Sequence, residues 1–159
     1  MKNQRNGIVS IILGVLLFVP LVLPLVVFRT TILNRTNDNG QNAFDLIGNL
    51  GDIENTWLLL TGIFSIVTMV VAALLIVFGV MLFLANKKSK LGKRYSLITL
   101  VGCAVGLVTA VFAIIFVIST DNISLFGIAG AATRVGIGAI ILAVVGAIGI
   151  AQAFVLPKK

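Results

Sequence analysis

Residues 86–95 read NKKSKLGKRY and set Lys87, Lys88, Lys90, Lys93 and Arg94, with no acid among them, between two long apolar runs. Short loops rich in Lys and Arg resist translocation, and each basic residue gains roughly 1 kcal/mol beside anionic lipid. The loop is therefore expected in the cytoplasm, with its five cations fixing topology and meeting anionic lipid. Every other segment is placed from it.

Hydrophobic residues make up 59% of the chain and charged residues 11%, against about 45–50% and about 25% in soluble domains. With a mean hydropathy of +1.17, this is the composition of an integral membrane protein. A length of 159 residues suits one domain, residues 1–159, of a few spans with short connections. In a soluble chain the net charge of +7 would point to nucleic acid. Here the cations sit at the ends of apolar runs without interleaved aromatics, so membrane lipid, and not nucleic acid, is the expected partner. Cys103 is the only cysteine, so no intrachain disulfide can form.

Four spans follow, at residues 7–28, 57–85, 96–119 and 134–156, with outer loops at 29–56 and 120–133 and the cytoplasmic loop at 86–95. The first run, at about 1.5 Å per residue, is long enough for a hydrocarbon core of about 30 Å and longer than the apolar region of a cleaved signal peptide. Pro20 and Pro24 lie one turn apart and should kink its outer half. The first outer loop carries the turn signal Asn37-Asp38-Asn39-Gly40. It also carries Phe44, Ile47, Leu50 and Ile53 at three-residue spacing, which would line one side of a short helix capping the bundle; with Trp57 they are the candidate outer-loop contacts. The second outer loop would dip into the headgroups or extend the fourth helix. On this plan Lys2, Arg5, the loop cations, Lys158 and Lys159 lie inside, and all five acids lie outside with Arg29, Arg35 and Arg134. The expected fold class is all-α: a polytopic membrane protein forming an antiparallel four-transmembrane-helix bundle with both termini cytoplasmic.

Chemistry is scarce within the spans. Apart from Arg134 at the start of the fourth, they hold no ionisable Asp, Glu, Lys, Arg or His, and the chain has no histidine at all. Proton relays and charge-binding sites in hydrocarbon need such groups. One cysteine without histidine cannot assemble a tetrahedral metal set, no Gly-Lys-Ser/Thr phosphate loop is present, and a serine nucleophile would have only flanking lysines as base. No catalytic residue, cofactor or metal site is expected, and the chain reads as a non-enzyme. The triplets Asn34-Arg35-Thr36 and Asn122-Ile123-Ser124 match the N-glycosylation pattern in the outer loops, which matters only in a glycosylating host.

The spans do contain small residues at helical spacing. Gly102, Gly106 and Ala110 form a ridge in the third span, and Ala139, Ala143, Ala147 and Ala151 form a stripe in the fourth, beside Gly138, Gly146 and Gly149. Lipid removes the hydrophobic drive between helices, so close backbone approach at small residues supplies the contact instead. These helix-packing residues predict a tight pairing of the third and fourth spans. Ser65, Thr68 and Ala72 mark a further contact face on the second.

Four spans, inside termini, a longer first outer loop and a short second one resemble the plan of claudin-type and MARVEL-type tetraspans. The first outer loop lacks the paired cysteines of the claudin type, and the second is not the large cysteine-rich loop of a tetraspanin. Phe44-Asp45-Leu46-Ile47-Gly48 before the second span, with a Gly/Ala-rich fourth span, is similar to small four-helix proteins of bacterial plasma membranes. The resemblance implies a multi-pass plasma-membrane location and no activity. The expected role is structural or accessory, acting through helix packing and outer-loop contacts with other membrane proteins or with further copies of the chain. The alternatives are a small oligomeric pore or carrier for a neutral or apolar solute, lined by Ser65, Thr68, Thr99 and Thr109 between protomers, and a membrane immunity or resistance factor.

Overall fold

Long apolar helices dominate the computed structural model, which describes residues 2–33, 35–84, 95–120, 123–125 and 129–155. The elements are α1 (Lys2–Val22), β1 (Val26–Ile32), β2 (Arg35–Gln41), α2 (Ala43–Gly48), a 3-10 turn (Leu50–Asp52), α3 (Thr56–Leu84), α4 (Tyr95–Ser119), β3 (Ile123–Leu125), β4 (Ala129–Val135) and α5 (Ile137–Val155). Helices α1, α3, α4 and α5 are each long and apolar enough to cross a membrane. The basic loop, Asn34 and Asn122 lie outside the described residues.

The fold is not all-α. A four-stranded sheet of order β2-β1-β4-β3, antiparallel throughout, draws one hairpin from the α1–α3 connection and one from the α4–α5 connection. Strand β1 is central, pairing Val26 with Gln41 and Ile32 with Arg35 on one side, and Val26 with Val135 and Ile32 with Ala129 on the other. Helix α1 therefore stops at Val22, short of the expected Phe28. Leu23 precedes a proline and is steered away from helical backbone, and the run Val-Val-Phe-Arg-Thr-Thr-Ile beyond it is β-branched and aromatic, suited to a pleated surface. Pro24 accordingly sits outside the helix, and only Pro20 lies within it. The Asn37–Gly40 signal is no turn either: those residues lie inside β2, and the chain reverses near Leu33, whose φ of 49° is the positive value a tight hairpin demands. The second outer loop, expected as loop or helix, becomes β3 and β4, so α5 begins at Ile137, past Arg134. Ala129–Val135 has little intrinsic strand preference and is held by pairing to β1.

The helices meet through small residues. Helix α1 has its most extensive partner in α3, and residue numbers run in opposite directions along the contact: Gly7 lies against Gly79 and Phe83, and Gly14 against Ala72 and Ile76. A Cβ at Gly7 would stand 2.6 Å from the Gly79 carbonyl oxygen, so backbone touches backbone there. Ser10 Oγ, in the same seam, donates to the buried Leu75 carbonyl at 2.8 Å. Between α3 and α4, the hydroxyls of Thr68 and Thr109 share a buried hydrogen bond of 2.7 Å. Helices α4 and α5 also pack closely: a Cβ at Gly146 would lie 3.0 Å from the Cys103 carbonyl oxygen. The core is filled by Leu13, Leu17, Leu21 and Leu25, at four-residue spacing, together with Leu75, Leu142 and Phe116.

Two outcomes test this packing. Gly79→Ala places a methyl 2.7 Å from the Gly7 carbonyl oxygen and should lower thermal stability in detergent by about 1–3 kcal/mol. Gly48→Ala, where no atom stands within 4 Å, should cost nothing. In a double-mutant cycle, Thr68→Val and Thr109→Val should show a coupling of about 1 kcal/mol by reversible unfolding, and additivity would dismiss the hydroxyl clasp.

Candidate functional site

Local chemistry builds the cap above the helix ends from the chain upward. Asn42 Oδ1 accepts from the backbone N–H groups of Phe44 at 2.8 Å and Asp45 at 3.1 Å, and Asp45 Oδ2 accepts from the Asn42 N–H at 3.0 Å. This capping box starts α2 and commits the Asp45 carboxylate to it. The face α2 buries holds Ala43 and Leu46, the latter 1% exposed. The expected row is displaced: Phe44 is 49% exposed, Ile47 is half-buried and Leu50 falls in the 3-10 turn, where it seats against Gly62 of α3. The spacing of three is right for a helix, but the row next to the expected one faces the bundle, and Asn49 ends the helix before Leu50 and Ile53 can join it. Trp57, partly exposed, packs against Phe112 at 6.2 Å between ring centroids.

A cleft of about 380 Å³ opens between this cap and the bundle. Its apolar side is Phe28 from β1, Leu58 from α3 and Phe116 from α4, with the two phenyl rings edge to face at 6.1 Å. Polar groups come from the segment joining α2 to α3: Asn49, Asp52, Glu54 and Asn55 line the cleft with Ile53, and Gln41 completes it from β2. Asn55 Oδ1 is spent on the first N–H groups of α3, accepting from Trp57 at 2.9 Å and Leu58 at 3.3 Å. Asn49 Nδ2 is spent on the Asp45 carbonyl at 2.8 Å. The Asp52 and Glu54 carboxylates have no hydrogen bond or ion pair among the described residues.

Electrostatics divide the cap in two. Side chains alternate across a strand, so Arg29 lies on the face of the sheet opposite to Phe28. There its Nε and Nη2 donate to Asp38 Oδ1 and Oδ2, both at 2.6 Å, across paired positions of β1 and β2. These hydrogen bonds hold the Asp38 carboxyl below its ordinary value, with attraction to Arg134 adding slightly, and raise that of Arg29.

The predicted packing residues are placed as follows. Gly102, Gly106, Ala110 and Ala139 are buried, Ala143 is half-buried, and Ala147 and Ala151 are exposed, so the alanine stripe leaves the α4 contact along its length and Gly146 and Gly149 take over. Gly102 faces Leu75 of α3, and Gly106 faces Leu17 of α1. Ser65, Thr68, Thr99 and Thr109 are buried within the chain, and Ser65 donates to the Thr61 carbonyl at 2.7 Å. Of the cleft's lining the sequence marks Ile53 as a contact candidate; Phe28 and Phe116 fall in runs that read as spans, and Asp52 and Glu54 stand out only as acids of the first loop. Among the described residues no group of three or more His, Cys, Asp or Glu is placed to hold a metal ion.

The ion pair yields a pH test. Because Asp38 is depressed when folded, its contribution to stability is complete above the unfolded value of 3.8 and is lost as pH falls through the lower folded one. The exposure of the pair keeps the effect small. Melting curves of the wild type and Asp38→Asn should differ slightly at pH 6 and converge near pH 2; a difference constant with pH would contradict the assignment. Comparisons of the chain with protein-family models, with curated proteins and with solved structures found no match, which leaves the tetraspan likeness resting on four apolar helices alone.

Proposed function

We propose that the chain is a multi-pass plasma-membrane protein whose four spans form an antiparallel bundle with both termini in the cytoplasm. In this reading it acts without catalysis, as a structural or accessory protein that meets other membrane proteins or further copies of itself through its outer cap. The observation that carries it is the cap: both outer connections are drawn into one paired sheet, and α2 and the Asn49–Asn55 segment are fastened to it and to α3. Loops serving only to join spans have no need of such order, whereas a contact surface gains affinity from being formed in advance. The distribution of charge supports the orientation. Asp38, Asp45, Asp52 and Glu54 belong to the cap, and the cation-rich loop follows α3 at its other end.

Two experiments address the two parts of the proposal. On a Cys103→Ser background, an impermeant maleimide should label Asp45→Cys in intact cells and Lys88→Cys only after permeabilisation; labelling of both from one side would reject the topology. A photo-crosslinking residue in place of Phe44, exposed on the cap, should give one discrete protein adduct in native membranes, confirmed by the reciprocal pull-down. The same residue in place of Leu74, exposed on α3, should give lipid adducts. Lipid adducts alone from both positions would reject the contact role.

A further inference from the structure

We infer that the cleft between the sheet and the bundle is a binding site for a small organic cation with an apolar body, of the class of aryl- or alkylamines. The proposal goes beyond the accessory role and does not depend on it.

The volume of about 380 Å³ lies in the range of small-molecule sites, about 300–1,000 Å³. Its chemistry is segregated as such a ligand requires. Phe28, Phe116 and Leu58 offer an apolar floor, with the two rings already in the edge-to-face arrangement aromatic groups prefer. An aromatic face also attracts a cation set over it. The rim supplies charge of one sign: Asp52 and Glu54 line the cleft, and among the described residues no Lys or Arg does.

What separates these carboxylates from the other acids of the cap is that they are uncommitted. Asp38 is held by Arg29 on the opposite face of the sheet, and Asp45 closes the α2 capping box. Asp52 and Glu54 meet no partner among the described residues, so neither must break an existing contact to receive an ammonium group. Carboxylates beside a low-dielectric wall also act more strongly on a cation than they would in open water. The amides add acceptors: Asn49 has given its N–H to Asp45 and keeps its carbonyl oxygen for a donor. The start of α3 does not offset this by attracting anions, because Asn55 already satisfies its first N–H groups. A bare divalent ion fits poorly, since it seeks six or more oxygens and has no use for an aromatic floor.

The test uses the full chain in zwitterionic lipid nanodiscs, with empty nanodiscs to subtract partitioning. Phenethylammonium chloride is titrated against its neutral counterpart, 2-phenylethanol, with calcium chloride as a third arm. Saturable binding of phenethylammonium is expected, at least about tenfold tighter than that of 2-phenylethanol. Asp52→Asn/Glu54→Gln should raise its dissociation constant about tenfold with an unchanged melting temperature. Should the double variant melt early, Asp52→Asn and Glu54→Gln are read singly, each expected to weaken binding about threefold. No saturable binding, equal affinity for the alcohol, equal affinity in the carboxylate variants, or displacement of the amine by calcium at equal concentration would each overturn the assignment. Because no partner protein is present, failure here leaves the crosslinking outcome at Phe44 to stand or fall separately.

Discussion

A short backbone clamp at Pro24 and Leu25 holds the two ends of the molecule's architecture together. The Leu25 N–H donates to the Gln41 carbonyl at 2.8 Å, the Gly136 N–H donates to the Leu25 carbonyl at 2.9 Å, and the Gly138 N–H donates to the Pro24 carbonyl at 2.9 Å. Three bonds within two residues tie the exit of α1, the end of the first hairpin and the entrance of α5. They form where the chain leaves helical geometry, which is where backbone groups would otherwise lack partners. Gly136 and Gly138 are what allow the approach, since a Cβ at either position would collide with the carbonyl groups of Pro20, Pro24 or Leu25.

Below the clamp, cohesion has a different origin. Apolar side chains gain little by leaving lipid for one another, so the bundle depends on fit and on a few buried hydroxyls. Gly7 with Gly79 brings two backbones into contact, and the Thr68–Thr109 pair and Ser10 turn polar groups into links between helices. Above the clamp the logic is that of a soluble protein: paired strands, a capping box, an exposed ion pair and an aromatic floor. The cleft occupies the boundary between these two regimes and takes its apolar lining from one and its charge from the other.

The sequence made the four helices legible because length and hydropathy suffice to specify them, and their boundaries at α3 and α4 fall within a residue of expectation. The sheet was hidden for two physical reasons. Val26–Phe28 is as hydrophobic as the span it follows, so composition alone reads it as more helix, and Ala129–Val135 becomes a strand through a partner about a hundred residues away. Ser65, Thr68 and Ala72 were correctly read as a contact face, because small and hydroxyl-bearing residues at one-turn spacing have few other uses in lipid. The seam between α1 and α3 was missed: Gly7, Gly14 and Gly79 are spread over two spans, and nothing in either alone shows that they meet. Beyond Ile53 and the neighbouring acids the cleft is not legible locally, since its walls come from β1, β2, the α2–α3 segment, α3 and α4.

The pairing of β1 with β4 bears on how the molecule is made. On the ribosome the first hairpin emerges after one helix, yet the strand that covers its other side is synthesised only after two further helices have been delivered to the membrane. Until then β1 presents an open edge and the clamp lacks its α5 half. Completion of the sheet is thus a late step that requires the two connections to lie at the same end of the helices, giving the cap the character of a seal on correct assembly.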